Sequence, residues 1–220
     1  RDQLLASHPD LPARVAAIRE SAVAALPELV REAKESLEGK LAKVYAAQDA
    51  GEAAAIIGGL LKGKRVARSF SNTLAEIGFD RILADSGSSV TLTRLEEIVG
   101  AEVAQASAGH PHLATLGLTP RQIADSLQRF TGAAGQDIDR LKELAAAKIK
   151  ENILASDFGA TGANAIVAEN GVLVLIEDEG NVRAVSNLPY RHIAVVGIEK
   201  INRSAEDAMA IMQAAAIYGA

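Results

Sequence analysis

The sequence predicts an α/β domain with a largely parallel β-sheet. Between residues 50 and 154, short apolar segments that suit strands alternate with longer segments that suit helices, which is the pattern of a parallel sheet with crossover helices. Between residues 163 and 196, by contrast, three apolar runs follow one another with turns between them. The chain has 220 residues, 49% of them hydrophobic, which is enough to bury a core without disulfides.

The first forty residues predict helices. Apolar residues recur at spacings near 3.6 through residues 15–30, and Pro27 is expected to interrupt and restart the helix. We therefore treat residues 1–40 as an N-terminal helical extension and residues 41–220 as the α/β domain.

Strands and helices then alternate along the first part of the domain. Thr119 followed by Pro120 suits a helix start, since threonine caps the helix N-terminus and proline fits its first turn. The predicted strands are residues 40–46, 64–69, 89–92, 101–106 and 112–116, and the predicted helices are residues 53–61, 78–85, 95–100, the segment from 119 onward and residues 137–154.

The last third of the chain predicts an antiparallel meander followed by a closing helix. Asn170 and Gly171 lie between the first two apolar runs and are a strong signal for a two-residue hairpin. The predicted strands are residues 163–168, 172–176 and 192–196, and the predicted closing helix is residues 204–218.

Composition and charge exclude several classes of function. The net charge of −5, with four Phe, three Tyr and no Trp, does not suit a nucleic-acid-binding protein. The absence of cysteine excludes disulfides, zinc–thiolate sites and iron–sulfur ligation by this chain, and it favours a cytoplasmic location. No apolar run reaches the roughly 18 residues of a membrane-spanning helix, and no metal site is predicted.

A glycine-rich segment after the long helix is the first candidate binding element. Gly159, Thr161 and Gly162 predict a flexible turn whose amides and hydroxyl group suit a carboxylate or a phosphate. Glu169 ends the next apolar strand, so its carboxylate lies either in water at the rim of the sheet or buried with a partner such as Arg183 or Lys200. Each of these residues also suits a structural role, as turn geometry or as an ion pair.

Polar residues further along complete the candidate set. Glu179, Gly180 and Asn181 predict a second turn, in which glycine or asparagine takes a positive φ angle. His192 opens an apolar strand, so its ring is expected near one end of the sheet, and Glu199 follows that strand. The structural alternatives are a plain hairpin, a hydrogen-bonded histidine and a solvated strand end.

Taken together, residues 157–200 resemble the lactate-utilisation family, or LUD domain family, and in particular its iron–sulfur-protein subgroup. That family has a G-x-T-G turn, an apolar strand ending in Glu-x-Gly, an E-G-N turn with a nearby arginine, a Leu-Pro pair and the run His-Ile-Ala-Val-x-Gly-Ile-Glu-Lys. The matching residues here are Gly159, Thr161, Gly162, Glu169, Gly171, Glu179, Gly180, Asn181, Arg183, Leu188, Pro189, His192, Gly197, Glu199 and Lys200.

The resemblance implies a fold and an activity. The fold is a NagB/RpiA/CoA-transferase-like three-layer α/β sheet with helices on both faces. The activity is oxidation of L-lactate to pyruvate by a multi-subunit complex that passes electrons through iron–sulfur clusters. Other lactate-utilisation subunits are then the expected partners, a small carboxylate such as lactate is the expected ligand, and an oligomer is compatible with this arrangement.

The resemblance also implies roles for particular residues. Arg183 or the amides near Thr161 would hold the carboxylate of lactate, and His192 or Glu169 would accept a proton. No flavin or nicotinamide fingerprint is present, so the residues themselves imply no hydride transfer. The other candidate ligand-binding residues are Gly159, Gly162, Glu179, Gly180, Asn181 and Glu199.

The chain departs from the family pattern at three places. Phe70 stands between two serines where the family often has lysine, and Gly117 stands near a position where it often has histidine. The family usually continues beyond the equivalent of Ala220 and, in this subgroup, carries cysteine motifs there. We therefore expect no cofactor in this chain and any iron–sulfur cluster in a further segment or a partner subunit.

Two other functions fit the same residues. The domain suits a non-catalytic assembly module, because acidic charge and alanine-rich helices serve subunit contacts equally well. The same fold also suits a sugar-phosphate or acyl-coenzyme A ligand, because a turn at residues 159–162 permits anion binding, although no basic cluster surrounds it.

Overall fold

The chain folds into two compact units. A computed structural model describes residues 7–103, 117–177 and 179–218. The first unit comprises residues 1–47, 163–176 and 195–220, and the second unit comprises residues 48–162 and 177–194.

Helices and strands alternate along most of the described chain. The strands are β1 (Arg65–Arg68), β2 (Ser89–Leu92), β3 (Phe158–Gly162), β4 (Ala165–Val167), β5 (Val172–Val174), β6 (Arg191–Val195) and β7 (Ile201–Asn202). The helices are α1 (Leu11–Ala24), α2 (Leu26–Glu38), α3 (Ala50–Leu61), α4 (Asn72–Glu76), α5 (Phe79–Asp85), α6 (Leu95–Val103), α7 (Pro120–Thr131), α8 (Ile138–Leu154), α9 (Asn181–Asn187) and α10 (Ala205–Tyr218).

The second unit is built on a four-stranded sheet with the strand order β2-β1-β3-β6. β1 is parallel to β2 and to β3, and its Val66 pairs with Val90 on one side and with Phe158 on the other. Val66 and Ala67 point to opposite faces of β1, and both are fully buried. The parallel part of the sheet is therefore covered on both faces, which agrees with the predicted three-layer α/β class.

Helices of the second unit form the core around this sheet. Val99 of α6, Leu127 of α7 and Leu141 of α8 form one buried cluster. Further along α8, Ile153 packs with Ala67 of β1 and Val185 of α9. The long helix α8 thereby joins the helical cluster to the sheet.

The first unit contains a three-stranded sheet with the order β5-β4-β7. β4 is antiparallel to β5 and parallel to β7. Its side chains alternate between two helical layers, since Ile166 clusters with Leu29 of α2 and Val167 packs against Ala208 of α10. The N-terminal helices are therefore part of the core of this unit.

The structure confirms most of the predicted elements. Thr119 and Gln122 form a reciprocal capping box at the start of α7, and the Asp137 carboxylate accepts a hydrogen bond from the Arg140 amide at the start of α8. Such caps satisfy amides that have no partner within the helix, which is why Thr119 predicted the start of α7. The confirmed segments are the helices near residues 53–61, 78–85, 95–100, 120–131, 137–154 and 204–218, and the strands near 64–69 and 89–92.

Two predictions in the first half are wrong. Residues 42–47 form no regular secondary structure, and the residues that suggested a strand there, Leu41 and Tyr45, are exposed. Residues 101–103 continue α6, so the extended segment predicted from residue 101 is wrong at its start. The rest of that segment and the strand predicted at residues 112–116 lie outside the described residues.

The predicted turn at residues 159–162 is also wrong, because these residues belong to the strand β3. Gly159 and Ala160 pair with Ala67 and Arg68 of β1. Glycine at position 159 reflects close packing against a helix, as described below, rather than turn geometry.

The predicted meander is confirmed only for its first hairpin. β4 and β5 pair as predicted, with Gly171 at a positive φ of 64°. Residues 181–187 then form the helix α9, and β6 joins the sheet of the second unit instead of pairing with β5. The segment at residues 179–181 begins a helix rather than a hairpin, because Gly180 has a φ of 74° and directly precedes α9.

Candidate functional site

The carboxyl ends of the parallel strands in the second unit lie at one edge of the sheet, and a ligand site is expected there. In open α/β sheets, ligands bind outside this edge, where the chain leaves the strands. Ser69 and Phe70 follow β1, Thr93 and Arg94 follow β2, and Thr161 lies near the end of β3. This edge therefore carries hydroxyl groups, one guanidinium group and one aromatic ring.

Thr161 and His192 form a direct polar pair. The distance between Thr161 Oγ1 and His192 Nε2 is 2.8 Å, and Thr161 is fully buried. Burial disfavours the charged imidazolium and lowers the pKa of His192 below its usual value. The ring is therefore neutral at pH 7, with one nitrogen that donates and one that accepts a hydrogen bond.

Arg94 is a largely buried cation beside an aromatic ring. Its guanidinium carbon lies 5.8 Å from the centroid of the Phe70 ring. Its Nε lies 2.9 Å from Glu96 Oε2 and 3.5 Å from Glu179 Oε1. The ring restricts the guanidinium group while the two carboxylates balance its charge.

A second arginine forms a buried charge cluster close to this edge. Arg68, the last residue of β1, donates two hydrogen bonds to the carboxylate of Asp80 in α5 and one to Glu97 in α6. Burial by itself would lower the pKa of Arg68, but its hydrogen bonds and charge contacts with Asp80 and Glu97 outweigh burial and raise it. The Thr93 hydroxyl donates to the Arg68 carbonyl at 2.8 Å. This cluster ties β1, α5 and α6 together and fixes the chain that leaves β1 and β2.

Gly159 allows α9 to approach β3 closely. A Cβ atom at this position would collide with the carbonyl group of Val185 in α9. Because only glycine fits this contact, Gly159 positions the helix that follows Glu179, Gly180 and Asn181. Its neighbour Gly162 ends β3.

Arg183 is paired within the second unit. Its Nε donates to Glu177 Oε1 at 2.8 Å, and its backbone amide donates to Glu177 Oε2 at 2.9 Å. Glu177 thus caps the first turn of α9 and also neutralises the Arg183 side chain. Asn181, which is buried, accepts a hydrogen bond from the Val182 amide through its side-chain oxygen.

Two of the predicted site residues lie in the first unit. The Glu169 carboxylate accepts a hydrogen bond from the Ala205 amide at the start of α10, at 3.1 Å. Glu199 is exposed, its carboxylate lies over Gly197, and its carbonyl oxygen accepts a hydrogen bond from Arg19. Among the predicted residues, direct contact is thus seen for Thr161 with His192, whereas Glu169 and Glu199 contact other residues of their own unit.

Arg94 and the cluster around Arg68 were not among the residues predicted from the sequence. A usable signal was present, since Arg94 comes two residues after the predicted strand 89–92 and Arg68 lies within the predicted strand 64–69. Residues at the ends of parallel strands are placed at one edge of the sheet by topology alone.

The sequence contains no cysteine thiolate that could bind an iron–sulfur cluster. Within residues 7–103, 117–177 and 179–218, no three His, Asp or Glu side chains converge as metal ligands would. None of the helices in those ranges is both long and apolar enough to cross a membrane.

Comparisons with known proteins identify relatives over much of the chain. The chain is 34% identical over 139 residues to the uncharacterized electron transport protein YkgF of Escherichia coli (strain K12), covering 63% of this chain and 29% of that protein. It is 32% identical over 171 residues to lactate utilization protein B of Shouchella clausii (strain KSM-K16), covering 76% of this chain and 36% of that protein. It is 31% identical over 162 residues to lactate utilization protein B of Bacillus subtilis (strain 168), covering 72% of this chain and 34% of that protein.

The chain thus spans about a third of the length of these relatives. No solved structure matches it significantly. The family model of the LUD domain matches residues 30–220, which include both sheets and every candidate residue described above. The chain therefore belongs to the LUD domain family.

Proposed function

We propose that this chain acts in lactate utilisation, as the LUD domain of a cytoplasmic multi-subunit complex that oxidises L-lactate to pyruvate. Its family and its similarity to proteins named lactate utilization protein B support this role. The electron transport protein among its relatives supports an assignment to the iron–sulfur-protein subgroup. The expected partners are the other subunits of such a complex.

Within that complex, the chain binds a small carboxylate at the carboxyl edge of the parallel sheet. The observation that carries this proposal is the pair of Thr161 and His192, with its 2.8 Å contact and its neutral imidazole. A neutral imidazole can accept the proton that leaves the hydroxyl group of lactate. Arg94 follows β2 at the same edge and would bind the ligand carboxylate in exchange for its contacts with Glu96 and Glu179.

Lactate oxidation also breaks the C2–H bond, and this releases two electrons and a second proton that need an acceptor. Iron–sulfur clusters require thiolate ligands, and the sequence contains none. The electron acceptor is therefore assigned to another segment or to a partner subunit. The described residues bind the ligand and accept the proton of its hydroxyl group.

The test compares His192→Gln with His8→Gln, which makes the same substitution in the other unit. Loss of lactate-dependent growth for His192→Gln alone, with Thr161→Val reducing growth as well, is the expected result. Chemical shifts of the isotope-labelled chain should also respond to lactate near residues 161 and 192. Normal growth of both His192→Gln and Thr161→Val would refute the site.

A non-catalytic assembly role is the second candidate. Tyr190 is 91% exposed and Leu188 is partly exposed in the loop between α9 and β6, and exposed aromatic residues are typical of interface centres. If Tyr190→Ala abolished co-purification with the lactate-utilisation subunits while His192→Gln left growth normal, the assembly role would replace lactate binding.

A further inference from the structure

A cleft in the first unit has the composition of a small-molecule site. Its volume is about 300 Å³, at the lower end of the range for ligand pockets. One wall is a single face of α1, on which residues recur at intervals of three and four. The residues on this wall are Arg14, Ala17, Ile18, Ser21 and Ala22.

Small side chains on α1 explain why the cleft is open. Ala17, Ser21 and Ala22 occupy positions where larger residues would fill the space against the neighbouring elements. The floor is apolar, because Ile18 and the buried Leu29 of α2 also line the cleft. An aliphatic group placed here would be removed from water.

Two arginines line the cleft, and each pairs with an exposed carboxylate. Arg14 lies 2.7 Å from Glu206, and Arg203 lies 3.6 Å from Glu28. Both carboxylates are mostly exposed, and exposed ion pairs contribute little to stability. A ligand carboxylate can therefore replace them as the partner of the two guanidinium groups.

Among the described residues that line the cleft, Asp207 is the one with an acidic side chain. It lies in the first turn of α10, where its own backbone amide is bound by the Ser204 hydroxyl. A ligand with nothing but a carboxylate would face repulsion from Asp207, whereas a hydroxyl or ammonium group beside that carboxylate would donate a hydrogen bond to it.

We propose that this cleft binds a small monocarboxylate with an aliphatic tail and a hydroxyl or ammonium group on the carbon next to the carboxylate. Arg14 and Arg203 bind the carboxylate, Asp207 accepts the hydrogen bond, and Ile18 and Leu29 contact the tail. The cleft lies entirely in the first unit and uses none of the residues proposed for the lactate site, so the two proposals stand independently.

Calorimetric titration of the purified chain with three acids tests the chemistry. The probes are L-leucine, 2-hydroxy-4-methylpentanoate and 4-methylpentanoate, which share the tail and differ in the donor group. Either of the first two should bind at least about tenfold more tightly than 4-methylpentanoate, and the tighter one identifies the donor as ammonium or hydroxyl. Equal binding of all three acids, or binding of none, would overturn the proposal.

Two variants and their controls test the location. Ser21→Leu fills the cleft and should abolish binding, while Ala16→Leu on the same helix, outside the cleft, should not. Arg203→Gln should weaken binding about tenfold, and Arg31→Gln, at an exposed ion pair of α2, should have no effect. Binding that survives Ser21→Leu, in a variant with an unchanged circular dichroism spectrum, would show that the ligand binds elsewhere.

Discussion

Gly159 and His192 illustrate how single residues set the properties of the second unit. At position 159, β3 lies so close to α9 that the backbone of Val185 occupies the space of a side chain. At position 192, burial keeps the imidazole neutral next to the Thr161 hydroxyl. A single substitution at each position can test the close contact at Gly159 and the burial of His192.

Gly159→Ala is expected to destabilise the chain by about 3 kcal/mol or more. The added methyl group meets a backbone carbonyl, which moves only if α9 shifts as a whole. Urea unfolding measures the loss. Gly59→Ala is the matched control, because Gly59 lies on an exposed part of α3 with open space around it, and there alanine should stabilise the helix slightly. Equal stabilities of the two variants would contradict the close contact.

The pKa of His192 makes stability depend on pH in a defined direction. Because the native pKa is lowered, the unfolded chain binds a proton before the folded chain does as the pH falls below about 6.5. The contribution of His192 to the free energy of unfolding should therefore be constant above that pH. Below it, the free energy of unfolding should decrease by at most about 1.4 kcal/mol per pH unit.

Urea unfolding between pH 7.5 and pH 5.5 checks this expectation, and His192→Gln should show a smaller decrease on acidification. If the His192 resonance titrated at or above the usual histidine pKa, the lowered pKa of His192 would be contradicted.

At the scale of elements, α9 replaces the hairpin that the sequence suggests. Gly180 adopts a positive φ immediately before the helix, and the Glu177 carboxylate binds the Arg183 amide in its first turn. A carboxylate at this end of a helix satisfies a free amide and interacts favourably with the helix dipole. The polar residues around position 180 therefore determine where α9 begins. Gly159 determines how closely α9 packs against β3.

Glu177→Ala should cost about 1 kcal/mol of stability, because it removes the cap of α9. Arg183→Ala should cost less, since the Arg183 side chain is mostly exposed and an exposed ion pair contributes little. Urea unfolding of the two variants gives the comparison. A larger loss for Arg183→Ala than for Glu177→Ala would show that the ion pair, rather than the cap, matters.

At the scale of the whole molecule, each unit is assembled from separate parts of the chain. The first unit combines the N-terminal helices with the β4–β5 hairpin and the C-terminal segment. Leu29 and Ala33 of α2 share a buried cluster with Ile166 and Ile201. The N-terminal helices are therefore integral to this unit.

Leu29→Ala is expected to cost about 3 kcal/mol, because Leu29 is only 1% exposed and its removal leaves a cavity under the small sheet. Amides of β4 and β5 should then exchange hydrogen faster, which hydrogen-exchange measurements detect. Val23→Ala, at a residue that is 72% exposed on α1, should leave both stability and exchange nearly unchanged. Unchanged exchange in Leu29→Ala would mean that α2 does not support the hairpin.

Local patterns were sufficient for much of the secondary structure. The helix starts at Thr119 and Asp137 follow from side chains that bind amides three residues away, and the hairpin at Asn170-Gly171 follows from two residues. Thr161 and His192 were both recognised as candidate residues from the sequence, but 31 positions separate them, and only the pairing of β3 and β6 in one sheet brings them into contact.

The sequence by itself determined the α/β class, the family and the start of α7, because these depend on neighbouring residues or on a motif of about forty positions. Tertiary structure alone decided that residues 159–162 form a buried strand, since the reason for glycine there is the carbonyl group of Val185, a residue distant in sequence. It also decided that Glu177 binds Arg183 and that Glu169 binds the start of α10, because a carboxylate takes whichever donor the fold brings within hydrogen-bond distance.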